Sequence, residues 1–229
     1  MSPPPSRLAA APEKADLARV FHRIRHFVAC LAGLWLGSVG SLHAQALLEP
    51  PFGLRWGDTP EKLIDWASRH SLDVNISLPG DQPAMRVVKI SPRSGNLPGT
   101  AAQSVEGRFH TGRLFEVTVH YRDPAVTADE TEARFNKLKK ALATEYGELT
   151  ANRQDRTVKD QFATRNLSFH REPVKGLFLL LAYSEVEDQL RHTREATFSL
   201  IYRNDNLRQD LEKLVAPVTP PASGGGGDK

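Results

Sequence analysis

The stretch that decides the fold is SVEGRFHTGRLFEVTVHYR, residues 104–122. Phe115, Val117 and Val119 alternate with polar residues, and this period of two is typical of a strand with one buried face. Residues 111–113, Thr-Gly-Arg, supply turn residues between two such runs. The pattern therefore predicts a β-hairpin.

The hydrophobic pattern also predicts the register of this hairpin. A two-residue loop would place the apolar residues of the first strand on the face of Thr118, whereas a loop at residues 111–113 keeps apolar residues together. We therefore expect the longer loop. It gives the pairs Phe109–Phe115, Gly107–Val117 and Val105–Val119.

The segment after the hairpin predicts the longest helix. Thr127 and Glu130 have the spacing of a capping box. Phe135 and Leu142 recur on one face, and Gly147 is a typical helix stop. We expect a polar loop after Gly147.

The remaining elements follow from periodicity and turn residues. Residues 72–78 alternate as a half-buried strand, and the apolar run at residues 177–182 is typical of a central strand buried on both faces. A closing helix should turn Leu207, Leu211 and Leu214 inward. The other expected elements are a helix at residues 58–70 and strands at residues 85–90, 161–170, 174–183 and 196–202.

This order of elements predicts an α+β fold. Hairpins and short links between strands favour a mostly antiparallel sheet, here of about five to seven strands, with two or three amphipathic helices packed on one side. A helix followed by strands occurs twice, which would permit a pseudo-symmetric arrangement.

The N-terminal region has the three parts of a signal peptide. Arg19, Arg23 and Arg25 precede the uncharged residues 27–42, and Ala-Gln-Ala follows at residues 44–46. We expect cleavage after about Ala46, with no membrane insertion afterwards. The alternative is an uncleaved inner-membrane anchor formed by residues 27–42. The predicted organisation is a signal peptide at 1–46, one α+β domain at 47–216 and a disordered proline- and glycine-rich tail at 217–229.

Charge and cysteine content narrow the class of protein. Five of the 30 basic and two of the 27 acidic residues lie in residues 1–46, so 25 of each remain and the mature domain is formally neutral. A neutral domain does not favour binding to nucleic acid. The one cysteine, Cys30, lies in the predicted leader, and an exported domain without disulfides favours a bacterial periplasm or cell surface.

No motif for catalysis, metal binding or cofactor binding stands out. The mature histidines lack metal-ligand spacing, and glycine-rich phosphate loops and nucleophile elbows are absent from the sequence. We expect no metal and no cofactor. Two histidine–carboxylate pairs could form part of a catalytic site, although solvated side chains are the simpler interpretation: His170 with Glu172, and His192 with Glu195.

Two further features admit two interpretations each. The basic residues between positions 150 and 175 could guide a protein partner, but we favour a solvent-facing sheet edge protected by charge. Trp56 and Trp66 could stack on sugars, but core packing is favoured.

The opening of the mature chain resembles a known kind of protein. Residues 51–61, PFGLRWGDTPE, are similar to the Phe-x-Gly-Leu-x-Trp-Gly opening of uncharacterised exported bacterial proteins, a domain of unknown function. The hairpin at residues 112–119 and the Glu-Tyr-Gly helix ending at 145–147 also look similar. The resemblance implies an envelope location and an α+β fold, and it transfers no activity or site residue.

Three functional hypotheses follow, and the first is preferred. In the first hypothesis, the protein is a non-enzymatic periplasmic or envelope protein that binds another envelope macromolecule. Alternatively, it is a small hydrolase or carbohydrate-processing enzyme with a site assembled from dispersed Asp, Glu and His. A third alternative is a small-ligand carrier with its cavity under the strand at residues 177–183.

Overall fold

The computed structural model describes residues 48–80 and 82–215. The predicted signal peptide or membrane anchor and the predicted tail at 217–229 lie outside these residues. The elements are, in chain order, α1 (Pro60–Arg69), β1 (Asp73–Ser77), β2 (Met85–Ser91), β3 (Ser104–His110), β4 (Arg113–Tyr121), α2 (Ala128–Tyr146), β5 (Thr150–Lys159), β6 (Phe162–Val174), β7 (Leu177–Asp188), β8 (Thr193–Asn204) and α3 (Asp205–Val215).

All the strands belong to one antiparallel sheet, which confirms the α+β class. The eight strands lie in the order β1-β2-β3-β4-β8-β7-β6-β5. The chain thus forms a helix and a four-strand meander twice, and the last strands of the two meanders pair at the centre of the sheet. We call the β4–β8 pair the seam.

The strand count exceeds the expected five to seven because β5 was missed. The polar residues after Gly147 predict a loop, where the structure has β5. All its residues except Asp155 are exposed, since β5 is an edge strand that no helix in the described part of the chain covers. A strand that buries neither face carries no hydrophobic alternation, so the pattern could not indicate it.

The hairpin forms with a shorter turn than predicted. Thr111 and Gly112 alone connect β3 to β4, with φ of 49° and 73°, as a type I′ turn requires. Phe109 pairs with Leu114, and Phe115 is the extra residue of a β-bulge. The bulge restores the register farther from the turn, so the remaining predicted pairs are confirmed: Gly107–Val117 and Val105–Val119.

The helices α1 and α2 cover one face of the sheet. Leu63, Trp66 and Ala67 of α1 are buried in the first hydrophobic cluster, together with core residues of β2, β3 and β4. The favoured core position of Trp66 is therefore correct, and the indole N–H of Trp56 donates to the Leu48 carbonyl at 2.8 Å. The first hydrophobic cluster, which contains Trp66, lies against one half of the sheet.

The second cluster lies under α2. The predicted capping box is present, with the Glu130 N–H donating to the Thr127 hydroxyl at 3.2 Å and the Thr127 N–H donating to the Glu130 carboxylate at 3.0 Å. Phe135 is 1% exposed, and its ring lies 5.3 Å from that of Tyr183 and 6.0 Å from that of Phe198.

No helix in the described part of the chain is both long and apolar enough to span a membrane.

The helix α3 lies on the opposite face, so the prediction that all helices pack on one side is wrong. It contacts β3, β4 and β7. Its Arg208 and Glu212 line a cavity with Glu116, which points away from the face of Val117. The α2 helix covers β8 on the other face of the sheet, so the chain that follows β8 turns to the face that α2 leaves uncovered. The burial of Leu211 is confirmed, but Leu214 is 78% exposed.

Two predictions of strand burial are also wrong. The central strand β7 buries Leu179 and Leu181, whereas Phe178 and Leu180 on its other face are half-buried, since α3 covers only part of that face. The strand β1 forms as predicted, but all its residues are exposed. It is the edge strand on the other side of the sheet.

Candidate binding groove at the seam

A groove lies beside the seam, on the face that carries α1 and α2. The α1 helix contacts mainly β1, β2 and β3, and α2 contacts mainly β7 and β8. The seam groove has a volume of about 360 Å³, within the range of small-molecule sites. Its lining residues are Ala101, Tyr121, Arg122, Asp123, Thr131, Arg134, Lys137, Leu138, Ala141 and Phe198.

The floor of the seam groove is aromatic and aliphatic. Tyr121 of β4 and Phe198 of β8 are directly opposite in the seam register. Their rings stack with centroids 4.5 Å apart and an angle of 11° between planes. Leu138 and Ala141 of α2 supply the wall, because residues three apart lie on one face of a helix. The floor is thus an apolar surface.

The rim of the seam groove is mainly cationic. Arg122 pairs with Glu195 at 3.3 Å, and Arg134 pairs with Asp123 at 3.4 Å. Lys137 forms no ion pair in the described part of the chain. The Arg122–Glu195 pair is largely solvent-exposed and the Arg134–Asp123 pair is partly exposed, so both ion pairs are weak and their guanidinium groups can exchange partners. The rim thus offers positive charge to a ligand.

The phenol groups near the seam remain protonated at neutral pH. Burial raises the pKa of Tyr121, and it raises the pKa of Tyr202, which pairs with Val117 in the seam, more strongly. Tyr121 therefore contributes an apolar ring with a hydroxyl group and no charge. Among the described residues, the groove lining includes neither a histidine nor a cysteine.

The structure does not join His170 to Glu172. His170 lies on β6 and lines a cavity of about 260 Å³ on the face opposite α2, and its buried Nδ1 atom has no hydrogen-bond partner among the described residues. The Glu172 carboxylate accepts a hydrogen bond from the Gly176 N–H, which fixes the turn between β6 and β7. Within residues 48–80 and 82–215, we find no hydrogen bond between these two side chains.

His192 is exposed, and Glu195 is paired with another residue. His192 lies in the turn between β7 and β8 with φ of 54°, and it is exposed. Glu195 pairs with Arg122 at the rim of the seam groove. No hydrogen bond links His192 to Glu195 among the described residues. The catalytic role of these candidates stays a prediction.

A larger cavity, of about 460 Å³, lies between α3 and the sheet. Glu116 is 8% exposed there and pairs with Arg108 at 3.4 Å. Burial raises the pKa of the Glu116 carboxyl, although the neighbouring Arg108 and Arg203 charges oppose this. Arg203 also pairs with Asp205 at 2.7 Å. The Arg203–Asp205 pair connects the first residue of α3 to the sheet, and the Glu116–Arg108 pair joins two strands beneath it, which favours a structural role for this cavity.

A second ionic network surrounds Glu185, near the N-terminus of α2. Burial alone would raise the pKa of the Glu185 carboxyl, but hydrogen bonds from Arg194 and Tyr183 and the charge of Arg165 together lower it. Arg165 also donates to Glu132 of α2 at 2.7 Å. Because each arginine has a carboxylate partner, this network ties α2 to the sheet. In the described ranges, no group of three or more His, Cys, Asp or Glu residues could hold a metal ion.

Sequence reasoning missed the seam groove. The apolar alternation that ends at Tyr121 and the cationic flank of α2 at Arg134 and Lys137 were the available signals. They indicated a site only once the pairing of β4 with β8 was known. Comparison of the chain with protein-family models, with curated proteins and with solved structures found no match.

Proposed function

We propose that this is an exported, non-enzymatic binding protein and that the seam groove holds an amphipathic anion. The observation that carries the proposal is the combination of an apolar aromatic floor with a cationic rim. Export is supported by the signal-peptide pattern of residues 1–46.

The geometry favours a ligand with an apolar body and an acidic head. Tyr121, Leu138 and Ala141 line the groove beside Phe198 and offer an apolar surface that an alkyl or aryl group can cover. Lys137, Arg122 and Arg134 stand where a carboxylate or sulfonate at the end of that group would lie. An uncharged apolar molecule would contact the apolar floor but would form no ion pair with the cationic rim.

The binding test uses a series of alkyl carboxylates. Octanoate, decanoate and dodecanoate are titrated by calorimetry into the protein purified from cells expressing the full-length gene. Each methylene buried on the floor contributes up to about 0.8 kcal/mol, so two methylenes should tighten Kd by up to about 15-fold. The corresponding methyl esters lack the charge and should bind about two- to fivefold more weakly.

Matched variants on α2 locate the binding site. Ala141 lines the groove and is exposed, so Ala141→Glu should block binding without disturbing the core. Ala133 is also exposed on α2 but does not line the groove, so Ala133→Glu should leave Kd within about twofold. Lys137→Glu should weaken binding of the carboxylates, whereas Lys140→Glu should not.

Two results would reject the groove as the site. One is a Kd that does not depend on alkyl chain length. The other is an equal loss of affinity in Ala141→Glu and Ala133→Glu, with circular dichroism spectra showing that both variants are folded.

Export is tested separately. N-terminal sequencing of the protein recovered from the periplasmic fraction should begin at about Leu47. Recovery of the chain only in the cytoplasm, or with residues 27–42 retained in the membrane, would reject this part of the proposal.

A further inference from the structure

The edge strand β1 carries an exposed apolar row. Val74, Ile76 and Leu78 are 38%, 54% and 65% exposed. Val74 and Ile76 pair with Ile90 and Val88 of β2, so they share the face of the first core cluster. They extend the apolar surface of that face to the edge of the sheet.

The opposite edge of the sheet is protected, and β1 is not. Edge strands that stay unpaired commonly carry charges that discourage pairing. The other edge strand, β5, has four charged residues: Arg153, Asp155, Arg156 and Lys159. In β1 the only charged residue is Asp73, at its first position. Within the described residues no strand pairs with the outer edge of β1, so its backbone groups there are open to another strand.

Polar and apolar residues in and around β1 are arranged symmetrically about Asn75. Apolar residues lie one and three positions to either side, at Val74 and Ile76 and at Leu72 and Leu78. An antiparallel copy with Asn75 opposite Asn75 would therefore match apolar with apolar on one face. It would place Asp73 opposite Ser77 and so avoid the opposition of like charges. A shift of one residue would lose both matches.

We infer that β1 pairs antiparallel with β1 of a second copy of this chain, with Asn75 on the two-fold axis. The two sheets then become one continuous sheet. Self-complementarity of this kind is what a two-fold interface requires. This inference goes beyond the proposed ligand binding, because it concerns a separate edge of the sheet.

The contact is short, so the dimer should be reversible. A stable interface buries about 1,200–2,000 Å² in total, and β1 has five residues. The interface therefore adds a strand ladder and a small apolar row to each copy. We expect dissociation in the micromolar range.

Sedimentation velocity between about 5 and 500 μM, which brackets micromolar dissociation, tests the association. The protein as purified from cells expressing the full-length gene should shift from monomer to dimer across that range. Ile76→Lys should weaken dimerisation at least tenfold, because it places two charges beside the new strand pair. Val158 is 58% exposed on β5, so Val158→Lys is the matched control and should leave the dimer unchanged.

Disulfide trapping tests the register. In a Cys30→Ser background, Asn75→Cys should form a covalent dimer under mild oxidation, because each new thiol faces its own copy. Ser77→Cys, on the same face of the strand, faces Asp73 and should crosslink much more slowly. A chain that stays monomeric throughout, a dimer unaffected by Ile76→Lys, or equal crosslinking of the two cysteine variants would overturn the inference.

Discussion

Gly107→Ala tests the placement of α1 over the sheet. A Cβ atom at position 107 would lie 2.8 Å from Leu63 Cδ2 and 3.0 Å from Phe109 Cε2. Carbon atoms in ordinary contact are about 3.5–4.0 Å apart, so the Leu63 methyl would have to move by roughly 1 Å. Leu63 and Phe109 are both fully buried, which leaves little space for that movement.

The expected loss of stability follows from these contacts. Overpacking a filled core costs about 1–3 kcal/mol, and replacing a strand glycine recovers about 0.5–1 kcal/mol of backbone entropy. The net loss in the free energy of unfolding should be about 1–2 kcal/mol. For a domain of this size, that corresponds to a fall of about 2–8 °C in Tm.

Chemical denaturation followed by circular dichroism measures this loss. Gly80→Ala is the control, because a Cβ atom there would meet nothing within 4 Å. In a Leu63→Ala background the obstructing methyl is absent, so Gly107→Ala should cost about 1 kcal/mol less than in the wild type. If Gly107→Ala were neutral in the wild type, or if the two substitutions were strictly additive, the proposed contact of α1 with β3 would be wrong.

Four further predictions concern stability. Thr127→Ala removes the cap of α2 and should cost about 1 kcal/mol in urea denaturation; an unchanged midpoint would contradict the capping box. Phe135→Ala empties the centre of the second cluster and should cost about 3–5 kcal/mol, and a loss below about 1 kcal/mol would show that this residue is not a core anchor. Burial raises the pKa of Glu116 above its ordinary value of 4.5, so its protonated form favours the folded state, and that contribution is lost as pH rises through the raised pKa. Glu116→Gln should therefore be more stable than the wild type at pH 7, and the difference in stability should vanish below about pH 4. Equal stability of the two proteins at pH 7 would refute the raised pKa. Burial lowers the pKa of His120 below 6.5, so the unfolded chain binds more protons and stability falls as pH drops below 6.5. His120→Gln should flatten this part of the pH profile measured by thermal denaturation, and an unchanged slope would contradict the shift.

The sequence by itself determined the features that depend on near neighbours. The capping box of Thr127 and Glu130 lies within one turn of helix, so it could be identified from spacing alone. The pairing of Gly107 with Val117 followed from apolar alternation within one hairpin. For the same reason the helices and seven of the eight strands were expected near their observed positions.

Only the tertiary structure decided the features that depend on distant pairing. The seam brings Tyr121 beside Phe198, which is far away in the chain, and no local pattern specifies which central strands meet. The side taken by α3 depended on α2 already covering β8. The strand β5 exists because β6 offers it a free edge, although its own residues bury almost nothing. The seam groove could not be inferred from the sequence, since it arises from such long-range contacts.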